Sequence, residues 1–269
     1  MEDNKKPAFE KVLDDINKKN ITVELKISKY INGVQTALAN INKQFTQTLE
    51  SPKTKSLFER LRLISKTHEI LISARWIFPD DIDEINFMKE LESSRTSEDV
   101  DNYMMHYYGS TNSVHKMTSE INENGIFSTR LISLIKEANL AYDMELFNSC
   151  AIVLLSVVEG LIVRFSDVQK LKYTNASDIF KTSALDRGGH VRARYYYVIT
   201  SICEFISCLY QKSDFSNAEP AFLNRHWVLH GRSQREIYPA ECVKLFLFIN
   251  SMNSFINEID EQSEYDNKH

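Results

Sequence analysis

Three side chains within six residues could carry acid–base chemistry on a charged oxygen: Arg225, His226 and His230, in the run Leu223-Asn224-Arg225-His226-Trp227-Val228-Leu229-His230-Gly231-Arg232. Imidazole titrates near neutrality and can pass a proton to or from oxygen. Guanidinium keeps its charge, and its planar fork matches two oxygens of a phosphate or carboxylate. Residues five apart lie about 140° apart around a helix, so Arg225 and His230 do not share a stripe, whereas residues four apart, His226 and His230, share a face. That pair could also supply two zinc ligands, but a third ligand is required, and no HExxH or Cys pair accompanies it. Without further context an Arg-His…His cluster on a helix is more often structural than catalytic.

The elements that must position these residues are helical. The 269 residues contain only 7 Gly and 5 Pro, few for a β sandwich or a Rossmann-type chain. The expected fold is all-α. Helical spacing is expected near Phe9–Ile16 in a short first helix, over residues 23–49 and over residues 57–76, the last ended by Phe78-Pro79-Asp80-Asp81. A short helix follows over 83–93, then a capped start at Thr96 or Ser97 leading into a helix that Gly109-Ser110 could interrupt. Asn122-Glu123-Asn124-Gly125 is the candidate domain boundary, dividing a helical N-terminal region, 1–125, from a domain over 126–269. In the second part, helices are expected around 131–138, 146–165, 176–184 and 195–210, with Asp186-Arg187-Gly188-Gly189 as a loop. Ser216 and Glu219 form a Ser-x-x-Glu capping box expected to open the helix that holds the motif. Pro239 opens the last helix, about 240–259, before a tail over 261–269 expected to be disordered.

The motif, with Phe222-Leu223 before it and Gly231 after it, resembles the Arg-x4-His signature of the HEPN superfamily, all-α domains common in toxins, abortive-infection proteins and RNA-processing enzymes. The apolar stretch ending Ser156-Val157-Val158-Glu159-Gly160 is similar to a core helix of the same group, and the resemblance covers about residues 126–260. It implies a HEPN-like bundle and a metal-independent endoribonuclease, plausible as a toxin or phage-defence effector. In that reaction the ribose 2′-OH attacks the adjacent phosphate and leaves a 2′,3′-cyclic phosphate and a 5′-OH. By the same resemblance Arg225 is the phosphate clamp, His230 the general acid or base, and His226 orients substrate or its partner. It also implies a homodimer, two motif helices facing across a two-fold axis to make a composite cleft, and an antitoxin or other regulatory protein as a possible partner. The alternatives are a non-catalytic RNA-binding or protein-interaction module, and a purely structural scaffold.

Charge gives RNA a local footing only. The chain carries −5 overall, but residues 181–235 hold eight Lys or Arg against four Asp or Glu, a net of +4. Arg187, Arg192, Arg194, Arg232 and Arg235 are candidate RNA-positioning residues, and Tyr195-Tyr196-Tyr197 could stack on bases. The bland reading of both is a solvated basic face and packed tyrosines. Glu159 and Asn224 are expected as supporting residues, Glu159 because a carboxylate in an apolar helix needs a partner and could hold Arg225 or a histidine. No cofactor and no metal is expected, and the Walker, GxSxG and GxGxxG patterns are absent. The four cysteines form no CxxC pair and read as buried free thiols of a reducing compartment. The apolar run over residues 151–163 is shorter than the ~20 residues of a membrane span and contains Glu159, so it reads as a core helix of a cytoplasmic protein with no membrane partner.

Overall fold

Helix α1 (Pro52–Ser73) begins with proline at its first position, where the missing N–H costs nothing. It stops earlier than the apolar spacing suggests. The Trp76 N–H bonds back to Leu71 O at 2.8 Å and Arg75 N–H to Ile72 O at 2.9 Å, with Arg75 left-handed at φ 60°. This double closure ends the helix at Ser73 and leaves Trp76 outside it, where a continuous helix through Trp76 was expected.

The computed structural model describes residues 52–79, 85–123, 127–166, 176–187, 193–212 and 214–268. The helices expected near Phe9–Ile16 and over 23–49 lie outside the described residues. The chain divides into two compact units, Met1–Leu61 and Arg62–His269. Of the first, only residues 52–61 are described, and they are helical.

After α1 come α2 (Ile85–Glu92), α3 (Ser97–Tyr108), α4 (Thr111–Glu123), α5 (Thr129–Asp143), α6 (Phe147–Ser166), α7 (Ala176–Arg187), α8 (Ala193–Leu209), α9 (Arg225–Leu229) and α10 (Pro239–Lys268). No strand occurs among the described residues, and the fold is all-α. Thr96 caps α3 through a reciprocal box with Asp99, as the sequence suggests. The break between α3 and α4 falls at Gly109, whose carbonyl accepts a 2.7 Å bond from the Tyr142 hydroxyl.

Helices α6 and α10 form the centre. On α6, Leu154, Leu155, Val157, Val158, Leu161 and Ile162 are buried, and the helix packs against α5, α7, α9 and α10. On α10, Phe246, Phe248, Ile249, Met252 and Phe255 are buried against α3, α4, α6 and α8. Each such side chain contributes about 1.5–3 kcal/mol on removal from water. The segment Phe147–Phe165 is the one helix among the described residues long and apolar enough to cross a membrane; here it is the helix around which the others pack. Because α10 packs on both α4 and α6, the boundary expected at 125/126 runs inside the compact unit Arg62–His269.

Three expectations need correction. Ser216 and Glu219 do not open a helix. Ser216 donates instead to Asp214, and Glu219 accepts from Ser233 Oγ and the Gln234 N–H, fourteen and fifteen residues on. The motif helix is accordingly five residues long. Asp186 and Arg187 close α7 rather than forming a loop. The last helix runs on through Lys268, where a disordered tail was expected. All four cysteines are free, with Cys150, Cys203 and Cys242 buried and Cys208 half-buried.

Candidate functional site

The motif is held by caps at both ends of α9. Asn224, 1% exposed, accepts a bond from the His226 N–H at 3.0 Å and donates from Nδ2 to Gln211 O at 3.0 Å. It thereby satisfies one orphan donor of the first turn and ties α9 to the segment just after α8. At the other end Gly231 takes φ 64°, with its N–H on Val228 O and the Arg232 N–H on Trp227 O. This left-handed closure ends the helix at Leu229, leaves His230 as the capping residue, and turns Arg232 back toward the loop before α9.

The two caps sort the motif side chains onto opposite sides. Arg225 points inward and is 8% exposed. Its Nη2 lies 2.5 Å from Glu159 Oε2 on α6, and its guanidinium sits 5.0 Å from the Tyr210 ring centroid. Glu159 is therefore the support for Arg225 that its place in an apolar helix suggested. His226 is half-buried and His230 exposed, and their rings are parallel within 4° at 6.0 Å between centroids. Arg225 and His230 thus occupy different sides of the helix, in keeping with their angular separation.

Burial pushes the His226 imidazole below its ordinary range, and the charge of Arg225 and the proximity of His230 act in the same direction against the weaker pull of Glu159. His226 is a neutral imidazole at pH 7, able to accept a proton.

An aromatic residue that was not among the sequence candidates completes the outward side. Phe215 meets Trp227 edge-on at 5.3 Å and His230 at 6.0 Å, while the Arg232 guanidinium lies 4.4 Å above its ring. A wide, open depression of about 610 Å³, lined by Lys212, Asp214, Phe215, Ser216 and Arg232, adjoins these rings. The polar loop around Asp214 and Ser216 gave no reason to single out Phe215; an aromatic stranded among polar residues is the only hint.

The remaining basic candidates separate. Arg232 joins the histidines. Arg235 does not: it is ion-paired with Glu241 and lies 3.8 Å from Glu219, on the wall of a different cleft. Arg192 lies outside the described residues, as do the side chains of Arg187 and Arg194. Of the three tyrosines, Tyr195 is buried, Tyr197 packs edge-on against His68 at 4.9 Å, and Tyr196 alone is exposed. Among the described residues no group of three or more His, Cys, Asp or Glu stands where it could hold a metal ion.

Arranged this way, the outward side offers a neutral imidazole, a second imidazole and an exposed guanidinium at an open surface, with the Arg225–Glu159 ion pair behind them. Comparison with protein-family profiles, with curated proteins and with solved structures returns no match for this chain.

Proposed function

We propose that the chain is a HEPN-like, metal-independent endoribonuclease, working as a homodimer with a composite cleft. The observation that carries the reading is the parallel pair His226 and His230 on the outward side of a doubly capped helix, beside Arg232 and an open depression. In the reaction His226, neutral at pH 7, removes the ribose 2′-OH proton. The 2′ oxygen forms a bond to phosphorus as the bond from phosphorus to the 5′ oxygen breaks, and His230 delivers a proton to that oxygen. The products are a 2′,3′-cyclic phosphate and a 5′-OH. Arg232 is the guanidinium open to the phosphate oxygens and to the charge that grows on them. Arg225 serves as a positioning residue, because its guanidinium is engaged by Glu159. Two copies with these faces opposed put four imidazoles along one RNA strand. The biological setting that fits is a toxin or defence effector restrained by a regulatory partner.

The test is incubation of the purified chain with total RNA in EDTA, with mapping of the ends. Cleavage that persists in EDTA, leaves cyclic-phosphate ends and is lost in His230→Ala and His226→Ala supports the reading. Cleavage that needs a metal ion, or that survives both substitutions, overturns it.

A second reading is favoured by the burial of Arg225, which leaves one arginine of the motif away from solvent. It is a non-catalytic RNA-binding module. RNA binding that falls with added salt and with Arg232→Ala, without cleavage at any pH, selects it.

A further inference from the structure

A second cleft lies away from the histidines, where the end of α1 meets α3, α8 and α10. It encloses about 280 Å³, close to the lower end of small-molecule pockets. Phe205, Leu209 and Leu223 supply buried apolar wall, and the segments on either side of α9 close over it through Phe222 and Arg235.

Its charges do not balance internally. Asp101 is taken twice, by Trp76 Nε1 at 2.7 Å and Lys244 Nζ at 2.8 Å. Lys244 also donates to Ala74 O at 3.0 Å and lies over the Trp76 ring, so it is satisfied. Glu241 is taken by Arg235 and by the Tyr238 N–H. Both carboxylates that line the cleft are thus spent on the protein. One cation is left. Arg75 has no carboxylate partner among the described residues, and its guanidinium rests 4.3 Å from the Phe222 ring centroid. Arg235 is spent on the protein as well, ion-paired with Glu241 and lying 3.8 Å from Glu219.

Arg75 also stands where a glycine is ordinarily preferred, at the left-handed residue that closes α1. Glu145 closes α5 in the same conformation, so the dihedral alone marks nothing. What singles out Arg75 is that it is an exposed cation without a carboxylate partner among the described residues, resting on Phe222 at the wall of a partly apolar cleft.

We propose that this cleft binds a small organic monoanion, its carboxylate or phosphate group held by the Arg75 guanidinium and its compact apolar body against Phe205, Leu209 and Leu223. A guanidinium fork suits both anion chemistries. The apolar wall rewards a carbon body and gives nothing to a bare inorganic ion. The proposal is independent of what the histidines do.

The experiment is calorimetric titration of the full chain with benzoate, phenyl phosphate, the neutral benzamide and inorganic phosphate. One or both aromatic anions bind with a Kd of about 1 mM or tighter, and the stronger of the two tells carboxylate from phosphate. Benzamide and inorganic phosphate bind at least about tenfold more weakly, and Arg75→Gln weakens the aromatic anion by about tenfold or more. Arg75→Gly gives the same loss while relaxing the backbone, so a folding defect cannot account for it. No binding by either anion, equal binding of benzamide or inorganic phosphate, or full affinity in either Arg75 variant overturns the proposal.

Discussion

Glu159→Gln tests whether the ion pair behind the motif is what holds α9 in place. The side chains are 31% exposed for Glu159 and 9% for Arg225, with 2.5 Å between the bonded atoms. Charge centres about 4 Å apart interact by about 4 kcal/mol at an effective dielectric of about 20. The partial exposure of Glu159 roughly halves that by admitting water, so the coupling should be about 2 kcal/mol. Glutamine keeps the shape and one acceptor but leaves the buried guanidinium uncompensated, and the single variant should lose about 2–3 kcal/mol. The assay is urea unfolding of wild type, Glu159→Gln, Arg225→Met and the double variant, with the denaturant slope checked for constancy. The double variant should be less destabilised than the two singles together, by about 2 kcal/mol. A second readout is independent of stability. Glu159 draws the His226 titration upward, so Glu159→Gln should lower it further, visible in an NMR titration of the ring. A coupling below about 0.5 kcal/mol would refute the idea that this pair pins the motif helix.

Three other outcomes can be measured directly. Burial depresses His68 from 6.5 to about 4, against the opposing charge of Glu69, so the unfolded chain takes up that proton first. Its contribution is complete above the unfolded value and is lost as pH falls from about 6.5 through 4, by up to about 3 kcal/mol; His68→Phe should flatten that part of a stability–pH curve, and an unchanged slope places the cause elsewhere. Gly109→Ala should cost about 1–3 kcal/mol in urea, because the new Cβ would lie 2.3 Å from Met105 Cε and 2.6 Å from Met105 O, and the backbone oxygen cannot swing aside. Gly231→Ala meets no atom within 4 Å but must hold φ 64°, so it should cost about 1 kcal/mol, with Gly231→Asn costing less; equal stability of all three would mean that the turn is not held as described.

The helices were legible because α4, α6 and α10 bury residues at steps of three and four, a pattern that local sequence carries. The ends of several elements were not. Continuous apolar spacing through Trp76 promised a longer α1, but hydrogen bonds to Leu71 and Ile72 close the helix with Arg75 in a glycine-like conformation. Ser216 and Glu219 had the spacing of a capping box, yet Glu219 finds its donors at Ser233 and Gln234, across the motif. Bonds between distant residues do not show in a short window. At the site, Asn224 and Glu159 could be named in advance because a polar residue before a helix and a carboxylate inside an apolar one each demand a partner. Phe215 could not, since its meaning comes from a contact with Arg232 seventeen residues later. Arg235 looked equivalent to Arg232 in charge count, and only the acids around it decide that it faces another cleft.

The brevity of α9 has a consequence for anyone wishing to borrow its histidines. Five residues make barely more than one turn, and helices of fewer than about 12–15 residues have little stability alone in water. The parallel rings of His226 and His230 are therefore maintained by Gln211, Glu159 and the loop that Glu219 fastens, all outside the decapeptide that carries the motif. A synthetic peptide of that decapeptide, or a graft of it into another helix, keeps the residue types and loses their arrangement. Antibodies raised against such a peptide should bind the unfolded chain in preference to the native one.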